Sequence, residues 1–259
     1  MRTILFNKQG QLRGGWKLLR VGTVTLGFVF ILAFMFKLST GEGKVPSWVI
    51  PVSIIFAVLL CMRWFDGIKL KDIGVTWQRL PHLLYGVFLG TASAILLGLY
   101  MVLTGEMSSD FWTNPDSLWK KLALCICVGI GEELLFRGYL LRLLQQSYNT
   151  IWAVVISSLL FVLIHAVNPQ YDLKAYLFAG LAALLLIYML FRTGSLWLSI
   201  GFHISWNYVQ DLFQYPYTGG LIGNVIIILL NFLVVWFWSK GRASNGNVLH
   251  GLNKGYLSR

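Results

Sequence analysis

Two adjacent carboxylates and an arginine stand inside an apolar run that reaches from about Leu118 to Leu144, in the stretch Gly131-Glu132-Glu133-Leu134-Leu135-Phe136-Arg137-Gly138. Charge placed in such a run is costly, and inside a membrane it marks a functional site by default. On a helix Glu133 and Arg137 are four apart, acid before base, the favourable order for an intrahelical pair. That pair has a structural reading: each partner neutralises the other, and removing either strands a buried charge. Glu132, one residue earlier, points about 100° away. Arg137 therefore cannot serve both carboxylates equally. Burial disfavours the charged form of a carboxylate, and a carboxyl poised nearer neutrality suits a general base. The bland reading of Glu132 is a hydrogen bond to a neighbouring helix.

The chain has four histidines, and two of them, His165 and His203, lie in apolar segments. His203 precedes Asn207 by four residues, so the two share a helix face. A lone intramembrane histidine is more often an interhelical hydrogen bond than a catalyst. Two histidines, an asparagine and Glu132 together suit a polar, water-accessible cavity. Depth supports part of this grouping. The turn after the Glu132 segment falls near Tyr148; Glu132 lies 16 residues before it and His165 17 after it. At 1.5 Å per residue both sit roughly 25 Å from the turn, level in an antiparallel hairpin. His203 lies only nine residues beyond the turn at Gly194 and reaches that level only if the first hairpin protrudes or the helices tilt.

Glu132-Glu133-x-x-x-Arg137 resembles the first motif of the CPBP family, the type II CAAX-prenyl-endopeptidase and bacteriocin-processing (Abi) intramembrane proteases. Phe161-x-x-x-His165 resembles the second motif and His203-x-x-x-Asn207 the third. All three occur in order, each in an apolar segment, between Gly131 and Asn207. The resemblance implies a helical-bundle protease with its cavity inside the bilayer, open to the cytoplasm. It implies that Glu132 activates water, that His165 helps position it and manages the proton, and that His203 and Asn207 donate to the tetrahedral oxyanion, with Glu133 and Arg137 in support. Members are often labelled metalloproteases. Glu132, His165 and His203 would then be the ligands of a divalent metal such as zinc, leaving a fourth position for water. Against that, there is no His-Glu-x-x-His pair, Asn207 is an unusual zinc ligand, and a metal-bound Glu132 cannot easily act as base. The metal-free glutamate mechanism, with no cofactor, is preferred.

These residues need elements to hold them. The chain is 57% hydrophobic and 12% charged, about half the charge of a soluble domain. The expected class is all-α: a polytopic integral membrane helical bundle of about eight transmembrane helices. The apolar segments run about Val21–Phe36, Ser47–Trp64, Leu83–Leu103, Leu118–Leu144, Ile151–Val167, Leu173–Phe191, Leu196–Val209 and Leu221–Trp238. Trp48, Trp64, Trp197, Trp236 and Trp238 suit interfacial belts. With eight spans and a cytoplasmic N-terminus, only Lys37, Lys44, Lys120, Lys121 and Lys174 of the 21 basic residues face outward. The positive-inside rule thus puts both termini in the cytoplasm and keeps the weakly hydrophobic seventh segment in the membrane. The same distribution explains the net charge of +11 without nucleic acid.

The expected organisation is a basic cytoplasmic segment 1–20, a transmembrane domain 21–239 with its motif-bearing core at about 118–209, and a disordered cytoplasmic tail 240–259. The basic N-terminal stretch lacks a small-x-small cleavage site after Val21–Phe36, so an uncleaved first span is expected. Cys61, Cys125 and Cys127 lie in apolar runs and make neither a loop disulfide framework nor a good metal pair. Gly86, Gly90, Ala94 and Gly98 form a stripe of small residues for close packing, either on a partner helix or on a second protomer in a homo-oligomer. The loop Leu70–Pro81 is amphipathic and basic, and is expected on the inner surface.

The expected partners are the lipid bilayer and a peptide or membrane-protein substrate, and the expected location is a bacterial plasma membrane. Two rivals stand beside the protease: a non-catalytic immunity or regulatory protein on the same fold, and a proton-coupled transporter. The intact polar set counts against the first. Confinement of intramembrane charge to the second half of the chain counts against the second, since transporters commonly carry internal repeats.

Overall fold

The computed structural model describes residues 14–107, 117–215 and 220–240. Residues 1–13, 108–116 and 216–219, and the tail from residue 241, where disorder is expected, lie outside the described residues. Among the described residues every regular element is helical. The helices are α1 (Gly14–Thr40), α2 (Val49–Leu60), α3 (Pro81–Leu103), α4 (Leu118–Glu133), α5 (Leu141–Ser147), α6 (Thr150–Ile164), α7 (Leu173–Thr193), α8 (Leu196–Leu212) and α9 (Leu221–Lys240).

Each expected apolar segment falls on helix, but not always on one regular helix. The second continues from α2 into a wide π-helical turn, Cys61–Phe65. The fourth breaks at Glu133 into a π-helical stretch, Leu134–Leu140, before α5 resumes. The fifth tightens at His165–Val167 into a 3₁₀ turn.

The expectation of eight spans is met only in part by length and composition. Helices α1, α3, α7 and α9 are each long and apolar enough to cross a membrane. A fifth candidate requires Val49–Phe65 to be joined with the short helical segment Leu70–Arg79. Helix α6 has 15 residues and α8 has 17. At 1.5 Å per residue both fall short of a hydrocarbon core of roughly 30 Å.

The chain divides into two compact units, Met1–Lys69 with Ile126–Ser157, and Leu70–Cys125 with Ser158–Arg259. In the first unit α1 packs along α2, with Phe28 on Phe56 (ring centroids 5.8 Å apart) and Phe36 on Trp48 (6.4 Å). Gly131 of α4 sits against α2, where an added Cβ would lie 3.1 Å from the Pro51 carbonyl oxygen and 3.5 Å from Ile55. The π-helical stretch that follows also packs on α2. Asn149 starts α6 by accepting from the Trp152 amide at 2.9 Å.

The second unit has one apolar core, in which Leu97 and Met101 of α3 meet Leu185 and Met189 of α7, Trp206 of α8 and Ile228 of α9. Local sequence sets the limits of α7. Asp172 caps its start by accepting from the Ala175 amide at 3.0 Å, and Gly194 ends it in the left-handed region at φ 61°. The loop expected on the inner surface forms two short turns pinned to the α7–α8 corner. Arg79 donates to the Gly194 carbonyl, Trp197 Nε1 donates to Thr76 O at 3.0 Å, and the Leu196 amide donates to Gly74 O at 3.3 Å. Trp77 stays exposed on the outside of this loop.

The small-residue stripe of α3 is filled from within the chain, by α8. A Cβ on Gly86 would lie 2.3 Å from Leu198 O, and one on Gly90 2.5 Å from Phe202 O. Reciprocally, a Cβ on Gly201 of α8 would lie 2.3 Å from Leu83 O. At Gly98 the occupant is Tyr215, whose hydroxyl donates to Ala94 O at 2.8 Å. Burial pushes the Tyr215 phenol up to about 12. Between the alternatives of partner helix and second protomer, this face is used by a partner helix of the same chain. Helix α9 adds a polar link: Asn231 Nδ2 donates to Ser93 Oγ of α3 at 2.9 Å, with both residues buried.

Candidate functional site

In the first unit the two neighbouring glutamates are treated differently. Glu133 is 0% exposed and Arg137 2% exposed, and Arg137 Nη1 donates to Glu133 Oε1 at 2.9 Å. The pair expected from the four-residue spacing is therefore made, in full burial, where a charge-assisted bond is strong. Glu132, one step round the helix, is only half-buried. It is the last residue but one of α4, immediately before the chain widens into the π-helical stretch carrying Arg137. Such widened turns occur often at functional sites. They shift the facing of every later residue relative to a regular helix. Ser157 of α6 reaches into this stretch, donating its hydroxyl to Phe136 O at 3.3 Å.

In the second unit the motifs of α6 and α8 meet through one ring. Phe161 lies 4.8 Å from the His165 ring and 6.3 Å from that of His203, centroid to centroid. Both rings touch Phe161, so they lie no more than about 11 Å apart, about two helical turns. The hairpin count from Gly194 alone did not give this. His203 is buried, while His165 and Asn207 are half-buried.

His165 Nδ1 lies 2.7 Å from the Phe161 carbonyl oxygen. A carbonyl only accepts, so Nδ1 carries a proton and donates it, leaving Nε2 as the ring nitrogen that faces other partners. A residue that the sequence reading missed completes this side. Tyr171 stacks on His165, 5.6 Å away with the planes 22° apart. An aromatic six residues after a histidine, across a 3₁₀ turn and a loop, has no periodic signature that would have found it.

The segment holding all six candidate residues also matches a known family. The family described as type II CAAX prenyl endopeptidase Rce1-like matches residues 114–209. An uncharacterised 24.3 kDa protein of Escherichia coli is 31% identical over 162 residues, covering 57% of this chain and 71% of that protein. The chain belongs to the Rce1-like family. It is an integral membrane protein of that family, and the family supports a CAAX protease-like enzyme.

For this Rce1-like chain the metal question turns on donor chemistry. The zinc alternative requires Glu132, His165 and His203 as ligands. Among the described residues no three His, Cys, Asp or Glu side chains are gathered as a ligand set. Cys61, Cys125 and Cys127 are free thiols.

Proposed function

We propose that the protein is an intramembrane endopeptidase that hydrolyses a peptide bond of a membrane-associated peptide or protein. The observation that carries the proposal is the division of labour between two adjacent glutamates. Glu133 is committed to Arg137 in full burial, whereas Glu132 is half-buried beside it. Glu132 then takes a proton from water as that water attacks the scissile carbonyl. His165, its Nδ1–H held by the Phe161 carbonyl, presents Nε2 to orient the water or carry the proton to the leaving amine. His203 and Asn207, one turn apart on α8, donate to the oxyanion that forms. Glu133 and Arg137 hold the helix turn from which Glu132 projects. The proposed setting is a bacterial plasma membrane with both termini cytoplasmic, with a peptide precursor or membrane protein as substrate.

The test compares peptides released from membranes that contain the wild-type protein, Glu132→Gln, His165→Ala or His203→Ala. The expected result is a set of cleavage products present with wild type and absent with Glu132→Gln. An identical product set from all four overturns the proposal.

A further inference from the structure

A second buried carboxylate lies in the first unit, outside the motif residues. Asp66 follows the π-helical turn that ends α2, and its side chain is 2% exposed. Three donors from distant parts of the sequence converge on it. Lys17 Nζ lies 3.0 Å from Oδ1, Arg20 pairs with Oδ2, and the Tyr139 hydroxyl donates to Oδ2 at 2.6 Å. Arg20 Nη2 also donates to the Tyr139 hydroxyl oxygen at 3.0 Å. Arg20 covers the Phe65 ring as well, 4.7 Å from its centroid. Tyr139 is wholly buried and its hydroxyl both donates and accepts.

Tyr139 belongs to the π-helical stretch Leu134–Leu140, two residues beyond Arg137. A π-helical turn holds one residue more than an α-helical turn. If the stretch relaxed to α-helix, one residue would leave it, and everything on one side would rotate by about 100° against the other. The structure fixes both sides. Before Glu132, Gly131 lies on the α2 backbone. After Arg137, Tyr139 is tied to Asp66. Glu132 lies between these two anchors, so its direction depends on both.

We propose that Asp66, acting through Tyr139, is a positioning residue. The Lys17–Arg20–Asp66–Tyr139 cluster holds the widened turn in register and so aims Glu132. This rests on the reading of Glu132 as the base. A network built only for stability would not need to reach this particular turn. A network built for register has to grip a side chain inside it, and Tyr139 is that side chain.

The test uses the full chain in lipid nanodiscs, with Tyr139→Phe, which keeps the ring and removes only the hydroxyl, and Asp66→Asn as a second variant. Two readouts are taken. Amide hydrogen exchange across residues 132–142 is expected to rise at least tenfold in both variants, with exchange in α9 unchanged. On a peptide that wild type cleaves and Glu132→Gln does not, kcat is expected to fall about 10- to 100-fold while KM changes less than about threefold, the signature of a misaimed base. Wild-type exchange in both variants overturns the proposal, whatever the protein catalyses. Wild-type kcat in Tyr139→Phe, with Glu132→Gln still inactive, overturns it while leaving the protease reading intact. If wild type itself cleaves nothing, the protease reading fails by itself, and with it the role of aiming a base.

Discussion

Replacing Gly201 by alanine tests the link between small residues and site geometry. A Cβ at Gly201 would lie 2.3 Å from Leu83 O and 3.0 Å from Val87 N of α3. Both are backbone atoms and cannot swing aside. Ordinary contact starts near 3.4 Å, so the α3 and α8 axes must separate by about 1 Å. Overpacking of this kind costs about 1–3 kcal/mol. Alanine returns up to about 1 kcal/mol through its better helix propensity. The expected net loss is about 1–2 kcal/mol, a fall of roughly 2–8 °C in apparent melting temperature for a chain of this size. Gly27 in α1 is the control, because nothing lies within 4 Å of its added Cβ. Gly27→Ala should leave the melt unchanged or raise it. The assay is thermal loss of the monodisperse peak in detergent for wild type and both variants. Since His203 and Asn207 ride on α8, Gly201→Ala should also reduce cleavage at temperatures where the protein is folded. A Gly201→Ala melt equal to or above that of Gly27→Ala would refute the close backbone contact and the role assigned to the stripe.

Other perturbations separate the remaining parts. Glu133→Gln or Arg137→Met alone should cost about 3–5 kcal/mol by stranding a buried charge, and the double variant should recover a large part of that loss in the same melt. Asn231→Leu removes the bond to Ser93 across α3 and α9 and should cost about 1 kcal/mol; a larger fall than Arg137→Met gives would contradict the ranking of these interactions. Cleavage should persist in excess chelator with no stoichiometric metal found by elemental analysis; activity lost to chelator and restored by zinc would return Glu132, His165 and His203 to the role of ligands.

Much of this architecture could be read from residue type and spacing. The Glu133–Arg137 pair followed from a four-residue interval, and the apolar segments followed from composition, because both are local properties of a helix. The α3 stripe was visible as spacing, but its occupant was not, since which helix fills it is decided by long-range packing. The widened stretch at Leu134–Leu140 was read as plain helix. An i to i+5 pattern leaves no mark in residue type, and its cost is borne by contacts made elsewhere. Asp66 was not singled out by residue type or spacing. Its partners lie 46 and 73 residues away, beyond any window in which spacing carries information. His165 was placed at the end of a helix and stands in a 3₁₀ turn, where Phe161 and Tyr171 rather than periodicity set its direction.

The central claim is that Glu132 acts as the base and its neighbour Glu133 holds structure. The most direct measurement is kcat and melting temperature for wild type, Glu132→Gln and Glu133→Gln, purified and reconstituted in liposomes, on one cleaved peptide. The prediction is that Glu132→Gln loses about 10²- to 10⁴-fold in kcat with its melt nearly unchanged, while Glu133→Gln shows a clear fall in melting temperature. Wild-type cleavage by a well-folded Glu132→Gln protein would contradict the account.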